Sequence, residues 1–426
     1  MSLSNSTRLH IVDPTVMNNQ RCEFRLDDLN IANLLLVNVG VTNTGSDGKQ
    51  TGVFYNSING VFTPIGKLSV FSGSTLIDEL QEGQAYAAIQ HLKTSNQGSE
   101  DLSRFELLNG ISLTPTGPTQ NLTTQASHKD YVQTYDLNGG VVQFHNNQIQ
   151  VASSSNADFG ASGMLTLSNY LQFLASVQIL PCIPNLRIVI EWSSSINDYY
   201  IDEMAPVIPS GSTVAPMRPQ LIFTEVLGIA PAKGPVQLPF MSTIVERFVV
   251  PAVTNGQSKY TSFRSGAFRD RFVHDLTFFN RVRSNDGWML AKTRSPAQAG
   301  EFIQLVVNSV KFLPDTGISS EAMKLRYFTD VQGSLNVTLA SALESLYDVN
   351  DDGNALFDDK AALLTHNFSV TSVSIAAVIN RLDIEYTRRG SNENGGTDQL
   401  DEFDLLVFGK CSRLLTLTNG LVRLSY

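Results

Sequence analysis

The chain has 426 residues, length enough for two domains of ordinary size, and its 42% of hydrophobic residues can supply packed cores. Charged residues reach only 16%, against roughly 25% in typical soluble domains; Ser, Thr, Asn and Gln fill the gap, which suits a surface largely covered by other protein. The net charge of −10 argues against a general nucleic-acid-binding surface, and no stretch approaches the run of about 18 apolar residues that spans a membrane.

The opening MSLSNSTRLHIVDPT is polar and lacks the basic and apolar regions of a secretory signal. From there the chain reads as strands separated by loops. Leu9 to Val12 and Leu34 to Val41 are apolar runs of strand length, and Lys67 to Leu76 reads as strand, Ser-Gly-Ser turn, strand. A short helix is expected around Glu82 to Ile89. Residues 95 to 130, rich in Ser, Thr, Asn, Gln, Gly and Pro, read as a long exposed excursion, with Phe105 to Leu113 its best strand. Asn138-Gly139-Gly140 turns into a strand over Val141 to His145.

Residues 165 to 192 are expected to organise the first half. Leu167, Tyr170, Leu171, Leu174 and Val177 form one apolar stripe at helical spacing, with Thr166 or Ser168 able to cap its start. Pro181 and Pro184 stop that helix. Leu186, Ile188 and Ile190 then alternate with Arg187, Val189 and Glu191, a strand with one strongly apolar face.

Residues 201 to 219 carry four prolines, each removing a backbone donor and fixing φ, so 206 to 219 reads as a linker. Strand runs resume at Leu221 to Val226, Val245 to Val250, Phe272 to Phe278, Ile303 to Phe312, Arg381 to Thr387 and Phe403 to Phe408. The chain closes on a hairpin turning at Asn419-Gly420. The expected organisation is all-β: an N-terminal sandwich over 1–205, the linker, and a C-terminal sandwich over 220–426, each with a short helical insertion.

The sequence offers little chemistry. It has no GxSxG, HExxH, paired CxxC or Walker phosphate loop, and its six histidines (His10, His91, His128, His145, His274 and His366) stand singly. Cys22, Cys182 and Cys411 read as buried thiols in a reducing compartment. The acidic pairs Asp78-Glu79 and Asp202-Glu203 read as solvated loops. Arg264, Arg269, Arg271, Arg281 and Arg283 interleave with Phe263, Phe268, Phe272, Phe278 and Phe279. Such a stripe can bind nucleic acid; the preferred reading makes the aromatics core and pairs the arginines with acidic residues of a neighbouring chain. The sequons at Asn121, Asn336 and Asn367 carry weight only on a secretory route.

One motif is sharper. DVNDDGNALFDD, 348 to 359, fits a calcium loop with oxygens from Asp348, Asn350, Asp352, Asn354 (through its carbonyl) and Asp359, and Gly353 at the sharp turn. Its last ligand is Asp where Glu is usual. The same residues also read as an acidic Asx-rich turn, and no cofactor is otherwise required.

Five stretches in order resemble the double jelly-roll major capsid proteins of polinton-like viruses and virophages, relatives of the adenovirus hexon. They are TRLHIVDPT, LSNYLQFLASVQILPCIPNLRIVIEW, MRPQLIFTEV as the opening of the second jelly roll, GEFIQLVVNSVKFLPDTGI, and INRLDIEYTRRG with DLLVFGKCSRLLTLTNGLVRLSY. This chain is shorter than the group's usual members and carries an insertion at 340–366. The resemblance implies two tandem eight-stranded jelly rolls, a homotrimer forming a pseudo-hexagonal tile, and a structural rather than enzymatic role in an icosahedral virion assembled inside the host cell. Its implied partners are neighbouring capsomers, penton proteins and minor capsid proteins, without sequence-specific nucleic-acid binding. The competing class is a glycan-binding or adhesive β-sandwich surface protein, which the calcium loop would favour; a β-sandwich hydrolase would need a convergent catalytic pair, and none is visible.

Overall fold

The structure, a computed structural model, describes residues 6–26, 29–44, 50–51, 62, 64–95, 133–135, 141–145, 148–151, 162–193, 213–229, 234–282, 302–319, 321–332, 370–389, 402–418 and 421–425. The first half runs β1 (Thr7–Val12), β2 (Val16–Met17), β3 (Arg21–Leu26), β4 (Ile31–Thr44), β5 (Gln50–Thr51), β6 (Ile65–Ser72) and β7 (Thr75–Leu80), then helix α1 (Gly83–Ser95). A small sheet of β8 (Gln133–Tyr135), β9 (Val141–His145) and β10 (Gln148–Val151) precedes β11 (Ser162–Thr166). A 3-10 turn (Leu167–Asn169), α2 (Gln172–Ala175), β12 (Leu186–Trp192), β13 (Thr213–Pro216) and β14 (Gln220–Val226) follow.

The second half runs β15 (Val236–Val250), β16 (Ser258–Ser265), β17 (Arg271–Val282), β18 (Phe302–Val307) and β19 (Val310–Lys311), then helix α3 (Glu321–Gln332). It ends with β20 (Val370–Ile379), β21 (Leu382–Arg389), β22 (Phe403–Thr418) and β23 (Leu421–Ser425).

Strand order identifies the architecture. In the first half one sheet is ordered β1-β14-β4-β11, and the other places β3-β12-β6-β7 side by side, with β2 beyond β3. In the second half the sheets are β15-β22-β17-β20 and β16-β21-β18-β19. Counting the eight main strands of each half along the chain, both halves give first-eighth-third-sixth in one sheet and second-seventh-fourth-fifth in the other. That interleaving is a jelly roll, two Greek keys folded into paired sheets. The repeat extends to the helices, since α1 and α3 each lie between the fifth and sixth strands of their half. The fold is therefore a double jelly roll, with the duplication held in topology.

The expected division shifts. Residues 220–226 do not open the second jelly roll: β14 hydrogen-bonds β1 on one side and β4 on the other, as the eighth strand of the first. Thr213–Pro216, read as linker, pairs with β4. Leu221 and Phe223 are buried in the first core, and the crossover to the second sandwich lies between Val226 and Val236. Proline is tolerated at the periphery of a sheet, and Pro216 ends a short paired strand ahead of a last strand that returns to its own sheet.

The expected helix over 165–177 also gives way, to the end of β11 and two single turns. Leu171 is extended (φ −102, ψ 107) and splits the run, and neither turn has a side-chain cap from its own neighbour. Leu167, Tyr170, Leu171, Phe173 and Leu174 are all buried. Two short turns separated by one extended residue bury these five side chains as fully as one continuous helix would.

Elsewhere the alternation holds. β12 lies between β3 and β6, pairing Ile188 with Phe24 and Val70. Leu186, Ile188 and Ile190 point into the core, each stabilising it by about 1.5–3 kcal/mol. The run Ile303 to Phe312 is two strands, because Asn308 and Ser309 both take positive φ (50 and 68) and turn β18 into β19 as a tight primed turn. Thr418 lies opposite Leu421, so β22 and β23 form the expected closing hairpin.

Candidate functional site

No constellation of three or more His, Cys, Asp or Glu side chains able to hold a metal exists among the described residues. A groove of about 570 Å³ between the start of β4 and residues 166–180 is lined only by apolar and neutral polar side chains, Leu35, Ser168 and Val177 among them. It holds no acid or base for proton transfer. What the molecule offers instead are surfaces, and the most informative is the seam between its two sandwiches.

β7 is the outer strand of its sheet and β15 the outer strand of its own; these two edges meet. Pro239, inside β15, is tolerated because an edge strand has one side free of ladder bonds. Asp78 is the pivot. It is buried, and its carboxylate accepts hydrogen bonds from Ser242 Oγ of β15 at 2.7 Å and from the Phe173 N–H of α2 at 3.0 Å. That second bond caps α2 from another element, replacing the local cap the sequence suggested. Desolvation pushes the Asp78 carboxyl up to about 6, against the opposing pull of the Ser242 hydroxyl, the Phe173 amide and the Arg413 guanidinium.

Arg413 of β22 closes the seam from the other half. Its Nη1 donates to the Ile77 carbonyl at 2.7 Å, and its guanidinium lies 5.7 Å from the Phe240 ring centroid. Phe240 meets Phe173 edge-on at 4.9 Å, and Tyr86 of α1 sits 5.7 Å from Phe408 of β22. These residues join one continuous hydrophobic cluster that includes Phe279, Phe328, Leu406 and Leu415 of the second half. The halves are thus welded by apolar packing with a buried polar pin.

α3 is fixed to the second sandwich in a similar way. Gln332 donates to Thr277 Oγ1 at 2.9 Å and accepts from Lys410 Nζ at 3.2 Å, while Lys410 lies 3.4 Å from Asp275. Two further carboxylates anchor arginines. Glu23 is buried among Arg21, Arg25 and Arg187; burial pushes its pKa up, but the three guanidinium groups outweigh that and hold it below the usual range. Asp383 behaves likewise between Arg264 at 3.0 Å and Arg381 at 2.6 Å.

These contacts settle several expectations. Asp78-Glu79 is no solvated loop: Asp78 is buried, and Glu79 pairs with Lys67 at 2.9 Å. A signal was present, since Leu76, Asp78 and Leu80 alternate, which sets an acid on an apolar face. Arg264 finds its carboxylate, Asp383, within its own chain, while Phe268, Phe278 and Phe279 are core as expected, Phe263 is half-buried and Phe272 is exposed. Cys22 and Cys411 are buried, desolvation raising both thiols to about 12, but Cys182 is exposed. His10 meets Glu225 at 2.7 Å and His274 meets Ser412 at 2.7 Å. The calcium-loop residues Asp348, Asn350, Asp352, Asn354 and Asp359 lie outside the described residues, as do Asp202-Glu203 and Arg283.

The described surface also exposes large apolar side chains, with Val310 (67%), Leu9 (66%), Leu421 (62%) and Ile11 (61%) the most open. Single exposed apolar residues are ordinary, so their placement on the fold decides their meaning.

No family model matches the sequence, and no curated protein matches it. Solved structures do. A chain of the Sputnik virophage structure superposes with a TM-score of 0.58 at 12% identity, covering 100% of this chain and 89% of its own. The mavirus major capsid protein gives 0.53 at 10% identity, over 99% and 90%. A chain of the PBCV-1 virus capsid gives 0.53 at 9% identity, over 100% and 98%. The double jelly roll read from strand order is the fold of these capsid structures.

Proposed function

We propose that this chain is a major capsid protein, a structural subunit whose copies trimerise into pseudo-hexagonal capsomers that tile an icosahedral DNA-virus capsid. The observation that carries the reading is the jelly-roll strand order repeated in both halves, welded by a seam that fixes one sandwich against the other. Two sandwiches per chain make three chains a six-sandwich tile. The fold shared with the Sputnik, mavirus and PBCV-1 structures supports this role. So does the charge content of 16%, because permanent interfaces of roughly 2,000 Å² or more are depleted in charge at their centres. The role is mechanical and not catalytic. The protein's place is the virion, with neighbouring capsomers, penton proteins and minor capsid proteins as its partners. Residues 348–359 would add a structural calcium that pins a loop.

Light scattering on purified protein tests this, with and without a calcium chelator. A stable species at three times 46.6 kDa, or larger shells, is expected; loss of that species on chelation would assign calcium to the loop. A monomer at every concentration would overturn the capsid reading.

A further inference from the structure

Strands of the second sandwich alternate in direction, so their connections sort to two ends. One end has three short turns: residues 266–270 between β16 and β17, Asn308-Ser309 between β18 and β19, and Asn380-Arg381 between β20 and β21. These turns are tied together. Asn308 Oδ1 accepts from the N–H groups of Asn380 and Arg381, the Asn308 N–H donates to the Arg381 carbonyl, and the Asp270 N–H donates to the Ile379 carbonyl. The opposite end sends out the long connections 283–301, 312–369 and 390–402.

Charge sorts the same way. Residues 264–271, 308–311 and 379–383 hold five basic side chains, Arg264, Arg269, Arg271, Lys311 and Arg381, against Asp270 and Asp383. Glu246 of β15 also reaches this end, where it accepts from Ser265 Oγ and from the Gly266 and Ala267 N–H groups. The β22–β23 hairpin runs on past β17 and adds the exposed Arg423 without an acid. The three long connections instead hold fifteen acidic residues and six basic, and the whole chain 40 against 30. The short turns therefore reverse the sign of the protein. In the first sandwich the corresponding positions carry no such excess, with Arg25 and Arg187 against Glu23, Asp27 and Asp28.

The guanidinium groups are open to a ligand. Arg269 is 73% exposed beside an equally open Asp270, and Arg264 is 67% exposed where it shares Asp383 with Arg381. Exposed ion pairs hold weakly, and the planar guanidinium fork fits phosphate oxygens. The turns set the exposed Gly266, Asn308, Ser309 and Asn380 among these charges, with Val310 their one exposed large apolar residue. A membrane anchor sets a broad apolar face beside its charges, so a polyanion in water is the better fit. We propose that this end of the second sandwich contacts double-stranded nucleic acid through its phosphates, without regard to base sequence. A net charge of −10 excludes a general nucleic-acid surface and leaves room for one local patch. The contact rests on the capsid reading for its source of nucleic acid, the genome that such a shell encloses.

Fluorescence anisotropy tests the contact, with two labelled DNA duplexes of unrelated sequence titrated with the whole protein over a salt series. Both duplexes are expected to bind alike, with log affinity falling linearly as log salt rises. Arg269→Glu and Lys311→Glu, both at exposed positions, are each expected to weaken binding severalfold and to lower the salt slope by about 1 with the melting transition preserved. Lys259→Glu makes the same charge change at the start of β16, at the opposite end, and is expected to leave affinity and slope unchanged. Three results would overturn the proposal. One is no saturable binding at the lowest salt. Another is an equal loss in Lys259→Glu, which would mean net charge and not a site. The third is binding to phosphatidylcholine vesicles containing phosphatidylserine in preference to either duplex, which would assign the patch to a membrane surface. Binding is measured at whatever mass light scattering finds. A monomer that binds DNA through Arg269 would therefore overturn the capsid reading alone, and a trimer that binds no DNA would overturn this contact alone.

Discussion

Replacing Asp78 by Asn isolates a buried acid that joins the two sandwiches. In the folded protein the carboxyl titrates near 6 against an ordinary 3.8, because burial disfavours its charged form. Folding therefore favours the protonated acid. Its contribution to stability is full below about pH 3.8 and is lost as pH rises through about 6. At about 1.4 kcal/mol for each tenfold in proton affinity, the whole span is about 3 kcal/mol, of which about 1.3 kcal/mol falls between pH 7 and pH 5. Asn keeps an acceptor for Ser242 but turns its amide toward the Phe173 N–H, so the variant loses one of the hydrogen bonds and all of the titration. The assay is urea unfolding of wild type and Asp78→Asn at a series of pH values from 7 to 5. The difference in unfolding free energy, wild type minus variant, should rise by about 1.3 kcal/mol toward pH 5. Groups elsewhere cancel in that difference. A difference flat with pH would refute the argument that Asp78 is a desolvated acid at a tight seam.

Glu23→Gln should destabilise by about 1–3 kcal/mol at pH 7, since three arginines lose their common carboxylate. Because that carboxyl titrates below its ordinary 4.5 when folded, wild type alone should lose this stability as pH falls below 4.5, which acid unfolding of both proteins would register. Gly409→Ala should cost about 1–3 kcal/mol in a thermal melt, because a Cβ there would stand 2.4 Å from the buried Phe268 ring. A thiol reagent should label one cysteine per native chain, Cys182, and all three only after unfolding; two fast sites would contradict the burial of Cys22 and Cys411.

Period-two patterns were legible from the sequence because each strand has one face on a core. Leu186, Ile188 and Ile190 predict β12 and its buried face, and Leu382, Ile384 and Tyr386 predict the buried face of β21. Over residues 167–174 the apolar side chains at helical spacing are buried, yet the extended Leu171 divides the run into two single turns. Asp78 looked solvated because its partners, Ser242 and Arg413, are more than 160 residues away. β14 was misplaced for the same reason, since nothing local says that a strand after four prolines returns to the sheet it left. The exposure of β1 and β19 was equally hidden. Leu9 and Ile11 look like core until the strand order makes β1 an edge.

The central claim is that two welded jelly rolls make one third of a six-lobed tile. Averaged electron micrographs of the purified, unstained protein test it most directly. The account predicts ring-shaped particles built from three chains, with six sandwich-sized lobes alternating around a pseudo-hexagonal outline. Isolated two-lobed particles at all concentrations, or particles related by a twofold axis, would contradict it.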